Sequence, residues 1–553
     1  MHQIVEFREG GQEMSQFIND KEQIVTQAID GVLRNHNGEL KRLDGYPHIK
    51  VVTRADWTPT RVAVISGGGS GHEPSHAGFV GEGMLTAAVC GEVFASPSVD
   101  AVLAGILAVT GDPGCLLIVK NYTGDRLNFG LAAERARALG HKVEMVIVGD
   151  DVAIPDIPQP RGVAGTLFVH KIAGALAASG ASLEVVAETA SRVARHTASL
   201  GMSLDTCTVP GAEKEDRIAN GMAELGLGIH GEPGIEQVAY SHAQEAIDLV
   251  TKRLEPCASH GDLVVLFNNL GGCTPLEMGI LVDSLHNSRM GHRIRWMVGP
   301  APLMTSLDMR GFSISLYAPT TDDLKSLKSE VGPGNWPGCR DVGNVEIAVL
   351  PEDIRPVPMD PSSHAPSQQL IERCCQVLID NATQLNELDT KSGDGDTGST
   401  LETAARALQR RLDTLPLADP AKLFHAISQE LSQSMGGSSG VLLAIFFAAA
   451  GDTAKGGCGV QTAFSAGLER IKQVGGAEVG DRTMVDALEP AIASLGHGMC
   501  AAAKAARKGA DATSQITRAG AGRASYLAAA SLAGHNDPGA EAVAILFETL
   551  ADD

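Results

Sequence analysis

Aromatic residues are scarce in this 553-residue chain, at 4 %, so its cores must be built from aliphatic side chains. Basic residues are in deficit as well: 44 against 66 acidic ones leave a formal charge of −22. That balance argues against a nucleic-acid groove or an anionic membrane surface, where clustered positive charge is expected. The ten cysteines are scattered, never in CxxC spacing, and too sparse for a disulfide scaffold, so free thiols in a reducing compartment are expected. The most apolar run, Val441 to Ala450, is about half the length that spans a bilayer. The first residues, with Glu6, Arg8 and Glu9, lack the apolar stretch of a signal peptide. The expected location is cytoplasmic. GxxxxGK[ST] is missing too, so any nucleotide is held by something other than a P-loop.

What is present is a change of texture along the chain. Arg61 to Ser66, Cys115 to Lys120 and Val143 to Val148 read as buried strands followed by helix-like stretches, the βαβ signature of a mostly parallel sheet. A second series starts near residue 196 and includes Leu263 to Phe267, Ile294 to Val298 and Val345 to Leu350. The reading is an α/β domain over residues 1–350 with two lobes, about 14–195 and 196–350. Pro351, Pro356, Pro358, Pro361 and Pro366 mark a linker over 351–367 that can neither pair in a sheet nor continue a helix. Beyond it, over 368–553, only helical patterns remain: Gln368 to Asn386, Leu401 to Leu412, Lys422 to Met435, Val441 to Ala450, Gln461 to Val474, Met484 to Leu495 and Ala540 to Leu550. An all-α domain of roughly eight helices is expected there.

Within the α/β part, Ser66-Gly-Gly-Gly-Ser-Gly-His-Glu-Pro74 reads as a loop directly after a strand, where open α/β sheets bind ligands. Four glycines followed by His72 exceed what a plain turn requires. Lys120-Asn-Tyr-Thr-Gly-Asp125 ends the next strand. Alone, Asp125 would be an N-cap for a helix from Arg126; sharing a crevice with His72, it becomes raw material for acid–base chemistry. Gly226 to Gly231 matches GxGxxG, but Ile218 to Leu225 does not read as a buried strand, so the dinucleotide reading is discounted. His230 within that run suits either a structural role or a nucleophile.

Asp389, Asp394 and Asp396 fall within eight residues between two helices. Like charges about 4 Å apart repel by roughly 4 kcal/mol at an effective dielectric of 20, so the cluster calls for a hard cation, Mg²⁺ or Ca²⁺. With Ser399 and Ala405 where an EF-hand needs Gly and Glu, a hydrated Mg²⁺ that bridges phosphates is preferred. Gly436-Gly-Ser-Ser-Gly440 follows a helical pattern rather than a strand, which disfavours a hydrolase elbow and suits a phosphate site at a helix N-terminus. The runs Gly480 to Met484, Gly522 to Ser525 and Asp537 to Gly539 read on their own as loops or caps.

Together these stretches resemble the single-chain, ATP-dependent dihydroxyacetone kinases. SGGGSGHEP, LIVKNYTGDRLNFG, ELGLGIHGEPG, NNLGG, GDGDTGST, MGGSSG, GDRTM, GRASYL and DPGA stand in that family's order from about Met14, a candidate start, to the C-terminus. The resemblance implies a ketone-binding α/β domain and an eight-helix nucleotide domain. It makes His230 the histidine that holds the ketone as a hemiaminal, Asp125 the base and His72 its hydrogen-bonding assistant. Gly69, Ser70, Gly71 and Lys120 would join His72 and Asp125 in the substrate wall. Asp389, Asp394 and Asp396 would carry two Mg²⁺ against ATP. Nucleotide contacts would come from Asp396, Thr397, Gly398, Ser399, Ser438, Ser439, Gly476, Thr483, Met484, Asp537, Pro538 and Gly539. The family likeness further implies a homodimer in which one chain's helical domain serves its partner's ketone site, with no phosphocarrier protein required. The alternatives are a kinase for erythrulose or glyceraldehyde, an FAD-cleaving FMN cyclase activity, a ketone-sensing regulatory subunit and, last, a serine hydrolase.

Overall fold

The computed structural model describes residues 16–351 and 359–551, apart from the side chains of 438, 439, 530 and 531. Met14 and residues 352–358 of the proline-rich linker therefore lie outside the described residues. The chain divides into two compact units that meet between Glu346 and Ile347.

The first unit holds two sheets. The first contains β1 (Leu40–Arg42), β2 (Val51–Arg54), β3 (Ala63–Ser70), β4 (Ala87–Val93), β5 (Cys115–Lys120) and β6 (Val143–Val148), in the order β1-β2-β4-β3-β5-β6. Its β4-β3-β5-β6 part is parallel, as the βαβ pattern requires. The second contains β7 (Ala198–Ser203), β8 (Met222–Leu225), β9 (Glu236–Ala239), β10 (Leu263–Asn269), β11 (Ile294–Ala301), β12 (Gly311–Tyr317) and β13 (Cys339–Asp341), ordered β13-β11-β10-β12-β7-β8-β9. Only β10 and β11 run parallel there, so the second lobe is mixed rather than mostly parallel.

The helices of this unit are α1 (Ile24–Asn35), α2 (Val99–Val109), α3 (Thr123–Ala138), α4 (Thr166–Ala178), α5 (Leu183–Arg195), α6 (Ala243–Leu254), α7 (Pro275–Asn287) and α8 (Thr321–Lys328). Strand alternation assigns each side chain to a layer. Cys115, Leu117 and Val119 pack into a core with α2 and α3, whereas Leu116 and Ile118 face the opposite way. In the second sheet Val265 and Phe267 pack with α6 and α7, while Val264 and Leu266 join Leu116 and Ile118 in one central core. Helix α4, buried along Thr166 to Gly174, runs through that shared core. The two lobes are thus halves of one five-layer body.

Two expectations change. β3 extends to Ser70, pairing Gly67 with Val89 and Gly68 with Cys90, so the glycine motif begins as strand and becomes a loop only at Gly71. A Cβ on Gly67 would strike the Val89 carbonyl, which is why a strand this close to its neighbour is written in glycine. Val345 to Leu350 is not a strand: it has no ladder partner among the described residues, and Val345, Ile347 and Val349 are exposed. Its alternation imitates a strand, but strand structure needs a neighbour as well as a pattern.

The second unit is all helix: α9 (Ala365–Asp380), α10 (Ala382–Asp389), α11 (Thr397–Arg411), α12 (Pro420–Ser434), α13 (Gly437–Ala454), α14 (Val460–Gly475), α15 (Val485–Ser494), α16 (Met499–Thr513), α17 (Ala529–Leu532) and α18 (Pro538–Ala551). Eight of these have ten or more residues. Helix α16 was absent from the periodic stretches because its core face is alanine (Ala502, Ala503, Ala506, Ala510), which carries little apolar contrast. Pro366 lies in the first turn of α9, where its missing N–H costs nothing, so the helix starts inside the expected linker. All ten cysteines are free, and among the described residues no helix is long and apolar enough to cross a membrane.

Candidate functional site

In the first unit, strand ends bring the expected polar groups together. Lys120 closes β5, and Asp125 sits in the first turn of α3, which begins at Thr123 rather than at Arg126, so Asp125 is not its cap. Lys120 is fully buried, its Nζ 4.0 Å from Asp125 Oδ2, 3.2 Å from the Gly67 carbonyl and 2.8 Å from His76 Nε2. Burial lowers the Lys120 pKa, and the Asp125 charge opposes that. The other Asp125 oxygen accepts a 2.5 Å hydrogen bond from Ser96 Oγ. Ser96 carries no motif of its own; its place on the loop after β4 reveals it.

Gly68 has φ +146°, and a Cβ there would lie 2.5 Å from Lys120 Nζ and 3.3 Å from Asp125 Oδ2. Gly68→Ala is therefore expected to displace the lysine–carboxylate pair and lower turnover by about 10²-fold, the scale of a misplaced reacting group. Steady-state kinetics checks this, with a thermal melt to show that the fold persists.

His72 follows β3 and is fully buried. Its Nδ1–H donates to the Thr305 carbonyl at 2.8 Å, which leaves Nε2 a lone pair without a protein partner. Burial, with the nearby His230 and Lys120, drives its pKa well below the ordinary value, so the ring is neutral. His230 comes from the second lobe, on the loop after β8, and its ring lies 4.8 Å from His72, 4.4 Å from Tyr122 and 5.3 Å from Phe94, centroid to centroid. Its Nδ1 is 3.3 Å from Glu232 Oε1, and its backbone N–H donates to Glu232 Oε2 at 2.8 Å. Burial pushes the Glu232 carboxyl up, but its hydrogen bonds from the His230 ring and from backbone N–H groups outweigh it and hold the group at about 2. A carboxylate accepting from Nδ1–H leaves the lone pair of His230 on Nε2, the requirement for a nucleophilic imidazole. Glu232, Phe94 and Tyr122 enter the site only through the fold. A short strand does precede the Gly226 to Gly231 run, contrary to the sequence reading, but no helix opens after it, so the dinucleotide pattern still lacks its context.

The remaining wall residues are already engaged. Ser70 Oγ donates to the Gly91 carbonyl at 2.9 Å, and the Gly71 N–H donates to Glu73 Oε2 at 2.9 Å. A Cβ on Gly69 or Gly71 would press on Phe94, so these glycines let the aromatic ring close on the histidines.

In the second unit, ligand oxygens of Asp389, Asp394 and Asp396 lie within 4.8 Å of one another, the one such carboxylate trio among the described residues. Asp389, at the end of α10, is buried and accepts from the Asp396 and Thr397 N–H groups at 2.9 and 3.0 Å, shaping the loop. Asp394 is half-exposed and ion-paired with Arg523, which brings the Gly522 to Ser525 run to the cluster as more than a loop. An all-oxygen trio whose charge attracts a guanidinium fits a hard divalent cation. Of the expected nucleotide contacts, Met484 and Gly539 adjoin: a Cβ on Gly539 would be 3.3 Å from the Met484 Cβ. Arg482 ties their loops together through the His535 carbonyl at 2.9 Å, beside Asp537, whose carboxyl burial pushes up to about 6. Thr397, Gly398 and Ser399 open α11 next to the aspartates, and Gly476 ends α14 with φ 70°. Gly437 begins α13, so the Gly436 to Gly440 run does open a helix; the side chains of Ser438 and Ser439 lie outside the described residues.

Residues 30–332 match the Dak1 domain family and residues 391–552 the DAK2 domain family. The chain is 48 % identical to the dihydroxyacetone kinase of Citrobacter freundii, over 98 % of this chain and 99 % of that one. It is 40 % identical to the triokinase/FMN cyclase of Homo sapiens, over 93 % and 95 % of the two chains. Among solved structures it is similar to the C. freundii dihydroxyacetone kinase in complex with AMP-PNP and Mg²⁺, with a TM-score of 0.68, 46 % identity and coverage of 97 % and 99 %.

Proposed function

This chain belongs to the single-chain, ATP-dependent dihydroxyacetone kinase family, and from that we propose that it captures dihydroxyacetone on His230 and transfers the γ-phosphoryl of ATP to one of its terminal hydroxyls. The observation that carries the reading is the pairing of His230 Nδ1 with Glu232, which leaves Nε2 free among His72, Phe94 and Tyr122. Addition forms an Nε2–carbon bond as the carbonyl π bond breaks. The ring's Nδ1 proton, drawn by Glu232, is matched by a proton taken up at the new hydroxyl. A ketone is thereby told apart from glycerol, which offers similar hydroxyls and no carbonyl.

Asp125, held by Ser96 and Lys120, accepts the proton of the hydroxyl to be phosphorylated, and the Nε2 lone pair of His72 takes a hydrogen bond from the substrate. On the helical unit, Asp389, Asp394 and Asp396 are the residues that would hold a pair of Mg²⁺ ions, which when bound neutralise phosphate charge. The family reading adds a homodimer in which the helical unit of one chain serves the ketone site of the other.

Mass spectrometry of the protein mixed with dihydroxyacetone, native or after borohydride, tests capture: an added substrate mass is expected, and its absence overturns the proposal. Glu232→Gln keeps an acceptor but loses the charge, the difference between a charge-assisted and a neutral hydrogen bond, about 1 kcal/mol. Capture affinity should fall about fivefold, read from the titrated mass shift. The human relative's name supports a second reading, turnover of other trioses or cleavage of FAD, to be compared directly with dihydroxyacetone.

A further inference from the structure

Arg161 has no part in the chemistry proposed for the site, yet it reaches the loop that carries His230. It lies between β6 and α4 in the first lobe, whereas that loop, residues 226–234, belongs to the second and has no helix or strand of its own. Arg161 Nη2 donates to the Gly226 carbonyl at 2.8 Å, where the loop begins. Its Nε donates to Asp151 Oδ2 at 2.7 Å, and Asp151 Oδ1 accepts the Ala153 N–H at 2.9 Å. Nη1 faces the other end of the loop: a Cβ on Gly228 would lie 2.9 Å from it and would collide with Glu232 Oε2.

One cation is thus flanked by two carboxylates, Asp151 and Glu232. Their mutual influence shows in Asp151, whose carboxyl is pushed up by burial, pulled back by Arg161 and pushed up again by the Glu232 charge. The Asp151 side chain is 4 % exposed, so its ion pair with Arg161 is screened less than a surface pair. Glu232 in turn has Arg161 near one oxygen and His230 Nδ1 at 3.3 Å from the other.

We propose that Arg161 is the positioning residue for the nucleophile: it ties the His230 loop across the lobes and offsets the charge of Glu232, so that this carboxylate aims the imidazole without making it a cation. The inference rests on His230 being the group that captures the ketone. Only a neutral ring attacks a carbonyl, because an imidazolium has no lone pair to give. Two carboxylates with no cation between them would favour the imidazolium. The other groups facing the ring are His72 from the loop after β3 and Tyr122 before α3, both neutral, and the hydrocarbon ring of Phe94. Lys120 stands beyond His72 and pairs with Asp125. Arg161 acts through Glu232 and the loop.

The test uses the full chain, with dihydroxyacetone alone for capture and with Mg²⁺ and ATP for turnover. Arg161→Gln can still donate to the Gly226 carbonyl but carries no charge. It should weaken capture, read by titrated native mass spectrometry, roughly tenfold, raise KM for the ketone and leave KM for ATP unchanged. The pH at which capture is half lost on acidification should rise by about half a unit or more, because Glu232 and Asp151 then act without a counter-charge. Arg161→Lys keeps the charge but not the planar fork, so that midpoint should return to the wild-type value while part of the affinity loss remains. Thermal melts accompany both. Where Arg161→Gln does not fold because Asp151 is left unpaired, Arg161→Gln combined with Asp151→Asn is read in its place, with weakened capture expected again. Wild-type capture in the folded variants would overturn the assignment. So would weakened capture whose pH midpoint stays put, the mark of a plain structural tie. If the wild type itself forms no adduct, the capture reading falls and this one with it; a wild-type adduct undiminished in the variants removes only Arg161.

Discussion

Replacing His230 with alanine is expected to abolish covalent capture of dihydroxyacetone and to cut kcat/KM for the ketone by roughly 10³-fold or more. The lost term is an intramolecular one. A bound ketone whose hydroxyl is already oriented reacts with the advantage of a tethered reactant, which can be worth about 7–11 kcal/mol when alignment is good. Even a fraction of that exceeds 4 kcal/mol, or about 10³ in rate. The fold should tolerate the change, because the His230 side chain is 16 % exposed and its polar contacts are to Glu232, its own loop neighbour. Native mass spectra of variant and wild type, taken with the ketone, read the first outcome; kinetics against Mg²⁺ and ATP reads the second. An unchanged substrate adduct in His230→Ala would remove the basis of the proposed recognition.

Asp394→Ala is the complementary experiment. Phosphorylation should fall by about 10³-fold or more, because one of three carboxylates for the phosphate-bound cations is gone, a loss of several kcal/mol of charge stabilisation. Capture of the ketone should be untouched. Asp394 is the right member of the trio to remove. Asp389 accepts two backbone N–H groups and shapes the loop, so its loss would confound binding with folding, whereas Asp394 is half-exposed and contacts Arg523. Isothermal titration with Mg²⁺ and a non-hydrolysable ATP analogue, beside the adduct assay, reads the two functions separately. Loss of both would contradict the division of labour.

Most of the candidate site was legible in the sequence because its groups stand in short local motifs. His72, Lys120 and Asp125 sit at strand ends that hydrophobic runs announce, and the fold brings them together through parallel pairing of β3 with β5. The aspartate trio lies in one turn and needed no fold to be seen. Ser96 and Phe94 were invisible, because their importance comes from β4 lying beside β3, a long-range fact that no local pattern encodes. Arg523 was missed for the same reason: its loop is 129 residues from Asp394 in sequence (523 − 394) and adjacent to it in space. Val345 to Leu350 shows the opposite failure, an alternation that looks like a strand where the second sheet already ends at β13. Helix α16 shows a third, since alanine forms helices well and marks their buried face poorly.

The central core runs without interruption from α1 and β3 through α4 to β10 and β12, and the loop bearing His72 is fastened to the Thr305 segment of the other lobe. Such a body has no hinge along which its halves could swing apart. The proposed ketone site, with His72 from one lobe and His230 from the other, therefore lies on a seam fastened by shared core and hydrogen bonds. On the proposed reading, selection within this unit would come from making a bond to His230 rather than from shutting a door.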